Sequence, residues 1–359
     1  MRESLTSINR PINLLGLDMR ILIATDAWHP QVNGVVRTLT SLARSAATLD
    51  AAISFLTPDG FPSIGVPTYP GLRVALPNRR EIARRIEAAA PEAIHIATEG
   101  PIGWAVRAYC HRRKLAFTTS YTTRFPEYIA VRTMIPAGVG YALLRHFHSA
   151  ASMTMVATAS LRQELAERGF RKLGFWTRGV DTELFRPDHP ATLDLPRPIF
   201  MTMGRVAVEK NLEAFLALDL PGTKVVIGDG PQRAMLQQKY PATVFLGEKK
   251  GRELSAHLAA ADVFVFPSLT DTFGVVQLEA LACGVPVAAF PVTGPLDVIA
   301  DRPIGALSQD LRIACLRALQ MSREACRNFA LERSWDNSAR QFMGNLTPLR
   351  PSRLSHAFG

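Results

Sequence analysis

Short apolar runs alternate with longer helix-patterned stretches along this chain, and a proline-rich break divides the alternation into two series. The first series holds Arg20–Thr25, Ala52–Thr57, Ala93–Ala97, Ala116–Tyr121 and Met153–Thr158. Between them, segments such as Arg79–Ala90 and Ser160–Arg168 carry apolar residues at helical spacing. Near-continuous apolar strands separated by helices predict a parallel sheet covered on both faces. Phe185–Pro198 then holds four prolines and little periodicity, and reads as a linker. The alternation restarts with Ile199–Met203, Lys224–Ile227, Thr243–Leu246, Val263–Phe266 and Val285–Phe290. The expected class is α/β, with two doubly wound domains at residues 19–182 and 199–335 joined through 183–198. Residues 336–359 are expected to form a C-terminal helix and tail returning towards the first domain.

Residues 1–18 read as a disordered extension without the apolar core or cleavage site of a secretory signal, which keeps the protein inside the cell. The true start is open between Met1 and Met19, where the first regular strand begins. Apolar residues make up 47% of the 359 and charged residues 20%, which excludes disorder or a fibrous repeat as the bulk of the chain. No window of 18 uncharged apolar residues predicts a membrane-spanning helix. Four scattered cysteines with no C-x-x-C pair argue against a zinc site or disulfide framework and fit a reducing cytoplasm.

The net charge of +10 is unevenly placed. Residues 1–180 hold 22 Lys and Arg against 12 Asp and Glu, whereas residues 181–359 hold 19 of each. The first half is therefore expected to face something anionic: nucleic acid, an acidic substrate or a membrane surface. Solvated arginines on a basic protein are the plainer alternative. No helix-turn-helix signal, RNP stretch or zinc finger supports nucleic acid, which is set aside as a partner.

Ligands of open α/β sheets sit beyond the carboxyl ends of the strands. After the first strand, Asn33-Gly34 precedes a helix expected to begin near Val35; Gly34 permits close backbone approach and the helix start favours an anion. An ordinary turn would use the same pair. The loop is not G-x-G-x-x-G and the chain holds no P-loop, which disfavours a dehydrogenase or P-loop ATPase. After Ile199–Met203 come Gly204, Arg205, Glu209, Lys210 and Asn211. A guanidinium fork and an ammonium there suit a diphosphate, unless Glu209 simply pairs a solvated loop. Gly228 and Gly230 follow the next strand, either near a nucleotide or as a tight turn. In Pro267–Gly284 a helix is expected from about Phe273–Gly274 to just before Gly284, with Asp271 at its mouth and Glu279 inside its apolar face. Two such carboxylates suit the vicinal hydroxyls of a sugar and a ribose; a capping Asp and an exposed Glu are the alternative.

These pieces in this order resemble the retaining glycosyltransferases of family 4 with the GT-B fold, two Rossmann-like domains facing across a cleft. The matching residues are Asn33-Gly34-Val35, Arg178-Gly-Val-Asp181, Gly204-Arg205 with Glu209-Lys210-Asn211, Gly228–Pro231, Ala261-Asp262 with Pro267-Ser268, Asp271…Glu279 and Gly284-Val-Pro286. The likeness spans about residues 19–345. It implies an enzyme moving a sugar from a nucleotide-sugar co-substrate with retention, needing neither cofactor nor metal. Catalysis would fall to Asp271, Arg205 and Lys210. Donor binding would fall to Gly34, Arg205, Lys210, Gly228, Gly230, Glu248, Asp271, Phe273, Gly274, Val275 and Glu279. Two departures stand out: the first family carboxylate is usually Glu and here is Asp271, and the family histidine is replaced by Thr122. The leaving phosphate would then serve as base in a front-face attack.

Ser-Tyr-x-Thr-x-Phe-Pro and Arg-Gly-Val-Asp further resemble the diacylglycerol glycosyltransferases of sulfoquinovosyl, glucosyl and glucuronosyl type, and mannosyltransferases acting on lipid carriers. That likeness implies a UDP-sugar donor, a lipid acceptor on the basic amino-terminal domain, and peripheral attachment to the inner face of the membrane, with no obligate protein partner. Ile129–His148 would lie in the headgroup plane or be a core helix with a wet edge. Acceptor-side candidates are His95, Tyr121, Thr122, Arg124 and Arg178; His95 equally fits a satisfied core histidine, and the arginines would suit an acidic donor sugar. The alternatives left open are a soluble or polysaccharide acceptor, including with GDP-mannose as donor, and a nucleotide-sugar epimerase.

Overall fold

The computed structural model describes residues 19–29, 34–65, 73–127, 136–188, 190–191, 193–271 and 273–349. The extension at 1–18, Asn33, the end of the tail and the first part of Ile129–His148 lie outside the described residues. The chain forms two compact units. One takes in residues up to Ala157, Arg162–Thr177 and the chain from Ser338; the other takes in Thr158–Leu161 and Arg178–Asn337.

In the first unit β1 (Met19–Ala24), β2 (Ala51–Leu56), β5 (Ala93–Ile96), β6 (Thr118–Ser120), β7 (Met153–Val156) and β8 (Leu173–Phe175) form one sheet in the order β2-β1-β5-β6-β7-β8. Every pairing in it is parallel. The chain leaves β1 on one side for β2 and returns on the other with β5, so the order reverses between β1 and β5. Burial on both faces explains the unbroken apolar run of β1. Ile21 and Ile23 pack with Leu39, Leu42, Trp176 and Phe342, while Leu22 and Ala24 pack on the other face with Ile102, Val106 and Phe147. A small antiparallel hairpin, β3 (Ser63–Gly65) with β4 (Arg73–Ala75), stands apart from the sheet.

The second unit repeats the plan with β9 (Ile199–Met203), β10 (Thr223–Ile227), β11 (Val244–Gly247), β12 (Val263–Phe266), β13 (Val287–Ala289) and β14 (Gly305–Leu307). Their order is β11-β10-β9-β12-β13-β14, again all parallel, and it reverses between β9 and β12. This is the doubly wound order whose ligands bind at the reversal point.

Most expected strands and helices stand within a few residues of their predicted places. The hairpin, β8 and β14 were not anticipated, because three residues are too few to show a period. The proline stretch is not a free linker. Arg178–Pro198 belongs to the second unit: Phe185 is buried, Arg327 donates to its carbonyl at 2.8 Å, and Ala191 N donates to Ala256 O at 2.8 Å. Prolines there exclude regular structure without excluding packing. The helix Trp335–Gly344 brings Phe342 to within 4.8 Å of the Trp176 ring centroid, and Trp176 Nε1 donates to Ser338 Oγ at 3.1 Å.

Candidate functional site

The carboxyl ends of β9 and β12 carry most of the second unit's candidate side chains. Beyond β9 the chain runs through Gly204 and Arg205 into a single 3-10 turn, Val208–Lys210, and reverses at Asn211, which adopts φ 52°. Asparagine tolerates that left-handed conformation better than most residues. Beyond β12 lie Pro267, Ser268 and Asp271. Three contacts bind the two loops together. Asn211 Nδ2 donates to Pro267 O at 3.0 Å, Ser268 Oγ donates to Glu209 O at 3.3 Å, and Lys210 Nζ sits 2.7 and 2.8 Å from the two Asp271 oxygens. The ion pair is partly sheltered, with side-chain exposures of 31% for Lys210 and 17% for Asp271. Arg205 is exposed on the same loop.

The helix Val275–Ala282 begins where expected. Gly274 precedes it at φ 76°, and a Cβ there would stand 2.6 Å from the Phe266 ring, so only glycine fits this turn. Gln277 Nε2 donates to Phe273 O at 2.8 Å and braces the turn from within. Glu279 is 3% exposed, on a helix buried from Gln277 to Ala282. Val275 is half-buried at the helix start. The loops after β9 and β10 stay paired past the strand ends, where Gly204 N donates to Ile227 O at 3.0 Å and Val206 N to Asp229 O at 2.9 Å. Gly228 and Gly230 flank Asp229 against the Gly204 and Val206 carbonyls. Their missing side chains admit the neighbouring loop's backbone. Glu248 follows the edge strand β11, is exposed, and pairs with Lys250 at 3.3 Å. Arg178 is buried, which lowers its guanidinium to about 10. Among the described residues no group of three or more His, Cys, Asp or Glu is arranged to hold a metal ion.

In the first unit, Gly34 opens the helix Gly34–Ala47, and a Cβ on it would meet open space. The start of the helix Pro101–Arg113 is already filled by the chain itself. Asp26 Oδ1 accepts from Ile102 N at 2.7 Å, and Oδ2 accepts from Gly103 N at 3.2 Å and Thr98 Oγ1 at 2.9 Å. Burial pushes the Asp26 carboxyl above its ordinary value despite these bonds, and the charge of Glu99 adds to the rise. Sequence reading passed over Asp26 as a cap; its place directly after β1 was the available signal. Glu99 Oε1 lies 3.1 Å from His148 Nε2, His148 Nδ1 lies 2.8 Å from Thr119 Oγ1, and Thr119 Oγ1 lies 3.0 Å from Thr154 Oγ1. This buried chain of polar groups was also missed.

Like Arg178, the acceptor-side candidates His95, Tyr121 and Arg124 are buried. His95 is fully buried, with Nδ1 2.9 Å from Thr118 Oγ1 and Nε2 3.1 Å from Ser120 Oγ, and meets Phe342 edge-on. It is the satisfied core histidine. Tyr121 is equally enclosed. Arg124 is 9% exposed and clasps Glu164 at 3.0 and 2.6 Å, with Glu127 at 3.2 Å. Burial opposes that guanidinium's charge and the Glu164 bonds favour it, the net effect being a rise. Its fork is engaged by the Glu164 and Glu127 carboxylates within the fold. Thr122 is half-buried, and its Oγ1 donates to Ala97 O at 3.4 Å.

Comparison with known proteins gives matches over both units. Residues 32–184 match a family described as "Glycosyltransferase Family 4", and residues 197–320 match "Glycosyl transferases group 1". The chain is 28% identical to a GDP-mannose-dependent alpha-mannosyltransferase of Mycobacterium tuberculosis, covering 94% of this chain and 99% of that one. It is 30% identical to the sulfoquinovosyl transferase of Arabidopsis thaliana, over 67% of this chain and 51% of the other. It is 25% identical to the alpha-monoglucosyldiacylglycerol synthase of Streptococcus pneumoniae, over 90% and 83%. Among solved structures, a sucrose-phosphate synthase from Thermosynechococcus elongatus superposes with a TM-score of 0.70 at 19% identity, covering 90% of this chain and 97% of that one. Anabaena HepE in complex with UDP and glucose superposes with a TM-score of 0.66 at 14% identity, covering 91% and 98%.

Proposed function

We take as premise that this chain belongs to glycosyltransferase family 4 and has the GT-B fold, and propose that it moves a hexose or uronic acid from a UDP-sugar to a lipid such as diacylglycerol, with retention. The observation that carries the donor side is the joining of the two loops at the β9/β12 reversal point, which brings Lys210 onto Asp271, with Arg205 exposed on the same loop as Lys210. A nucleoside diphosphate brings concentrated negative charge, and an ammonium and a guanidinium carried on one loop offset it. In the reaction the bond from the anomeric carbon to the phosphate oxygen breaks and the bond to the acceptor oxygen forms on the same face. The acceptor proton passes to the leaving phosphate, and Arg205 and Lys210 stabilise the charge that grows there. Asp271, with the backbone N–H groups of Phe273 and Gly274, holds the sugar hydroxyls. Glu279, on a buried helix, holds the ribose. No step calls for a metal ion or cofactor.

Two lines support a lipid acceptor. One relative is a glucosyldiacylglycerol synthase by name. On the helix Ala137–Ser149, Val139 and Leu143 are 60% and 55% exposed one turn apart, in the half of the chain that carries the excess positive charge. Apolar residues exposed on a basic surface suit an anionic bilayer. No helix among the described residues is long and apolar enough to cross a membrane, so attachment would be peripheral. A second reading, GDP-mannose as donor with a cell-envelope or soluble acceptor, is favoured by the mannosyltransferase relative of matching length. The full chain, incubated with labelled UDP-glucose, UDP-glucuronate or GDP-mannose and anionic vesicles containing diacylglycerol, separates the readings. Label extracted into organic solvent from a UDP-sugar is expected. Label transferred only to water-soluble acceptors overturns the lipid reading, and label from GDP-mannose alone overturns the UDP assignment.

A further inference from the structure

We propose that Asp271 is an internal stand-in for the donor's phosphate, paired with Lys210 until a diphosphate displaces it, and thereby sets the site's preference for diphosphates over monophosphates and free sugars. This rests on the donor-site reading above. Asp271 offers both carboxylate oxygens to a single ammonium, at 2.7 and 2.8 Å, which is the geometry a phosphate would use on the same lysine. The pair is only partly exposed, so water screens it less than a surface pair. Asn211 to Pro267 and Ser268 to Glu209 hold the two loops in register on either side of it. A ligand that takes Lys210 from Asp271 must therefore replace one negative charge with at least as much. A neutral hexose brings none, and a monophosphate at least matches the carboxylate's charge but has no second phosphate to offer the rest of the loop. A nucleoside diphosphate brings two linked phosphates and meets Arg205 on the same loop. Once released, the Asp271 carboxylate has its oxygens free for sugar hydroxyls, so recognition is ordered: diphosphate first, sugar second.

The test measures binding of UDP, GDP, UMP and GMP to the full chain and to Asp271→Asn, Lys210→Ala and the double variant by calorimetry. Asp271→Asn is expected to tighten the diphosphate by about threefold to tenfold, because the competing charge is gone. The monophosphate should tighten more than the diphosphate, narrowing the gap between the two, and an equal gain would show that Asp271 does not set the preference. The gain should vanish when Lys210 is also absent. Asp271→Ser should behave like Asp271→Asn, which guards against a fold defect in either variant. Unchanged or weaker diphosphate binding in both Asp271 variants overturns the proposal. So does a gain that survives Lys210→Ala, which would reflect loss of negative charge in general. Loss of Lys210 without any loss of diphosphate affinity would instead overturn the donor-site reading itself.

Discussion

Gly228 lies directly against the Gly204 carbonyl: a Cβ on Gly228 would stand 1.9 Å from that oxygen. Gly228 also holds φ 135°, which side-chain-bearing residues rarely adopt. The contact sets how closely the loop after β10 approaches the loop carrying Arg205. Gly228→Ala is expected to destabilise the protein by about 3 kcal/mol, from strain and overpacking together. Urea denaturation reads it, and an unchanged midpoint would show that the backbone relaxes freely here.

The same position shows where sequence reading succeeds and stops. Strands such as Val263–Phe266 were legible because burial on both faces leaves an unbroken apolar run. Gly228 and Gly230 were legible as special, but the reason for them is a backbone across the sheet that no local pattern reveals. Lys210 and Asp271 were both named as charges, yet 61 residues separate them and only the reversal of strand order brings them together. His95 was ambiguous because its partners, Thr118 and Ser120, come from the neighbouring strand in a register that places His95 opposite Thr118. Asp26 was missed for a like reason: the helix N–H it accepts from, that of Ile102, lies 76 residues later.

Glu279→Gln keeps the size of a buried side chain and removes its charge. A carboxylate accepting ribose hydroxyls forms charge-assisted bonds that an amide does not match. Nucleotide affinity is expected to fall about tenfold, with the thermal midpoint little changed. Calorimetry with UDP and a thermal melt check the two halves. Unaltered affinity would remove Glu279 from the donor site.

Arg124 is read as a structural clasp, and its variants distinguish that role from acceptor binding. Arg124→Ala leaves Glu164 and Glu127 without their guanidinium inside the fold and is expected to cost about 3 kcal/mol. Arg124→Lys should recover less than half of that, since an ammonium lacks the two-pronged fit to Glu164. A variant of full stability with impaired transfer would return Arg124 to the acceptor side.

Asp26 supplies a pH test with a definite sign. Burial raises its carboxyl above the ordinary 3.8, with the Ile102, Gly103 and Thr98 bonds opposing. The folded protein therefore holds this proton to a higher pH than the unfolded chain does. The stability linked to it is fully present below about pH 3.8 and is lost as pH rises through the folded value. Asp26→Asn removes that dependence. It also sets an amide N–H₂ against one of the two helix N–H groups the carboxylate accepts from, so the variant is less stable throughout. The difference in unfolding free energy between wild type and Asp26→Asn should then be largest near pH 4 and shrink towards pH 7. Urea titrations across that range measure it. A difference that grows with pH would mean that the helix N–H groups outweigh burial and hold the Asp26 carboxylate in its charged form.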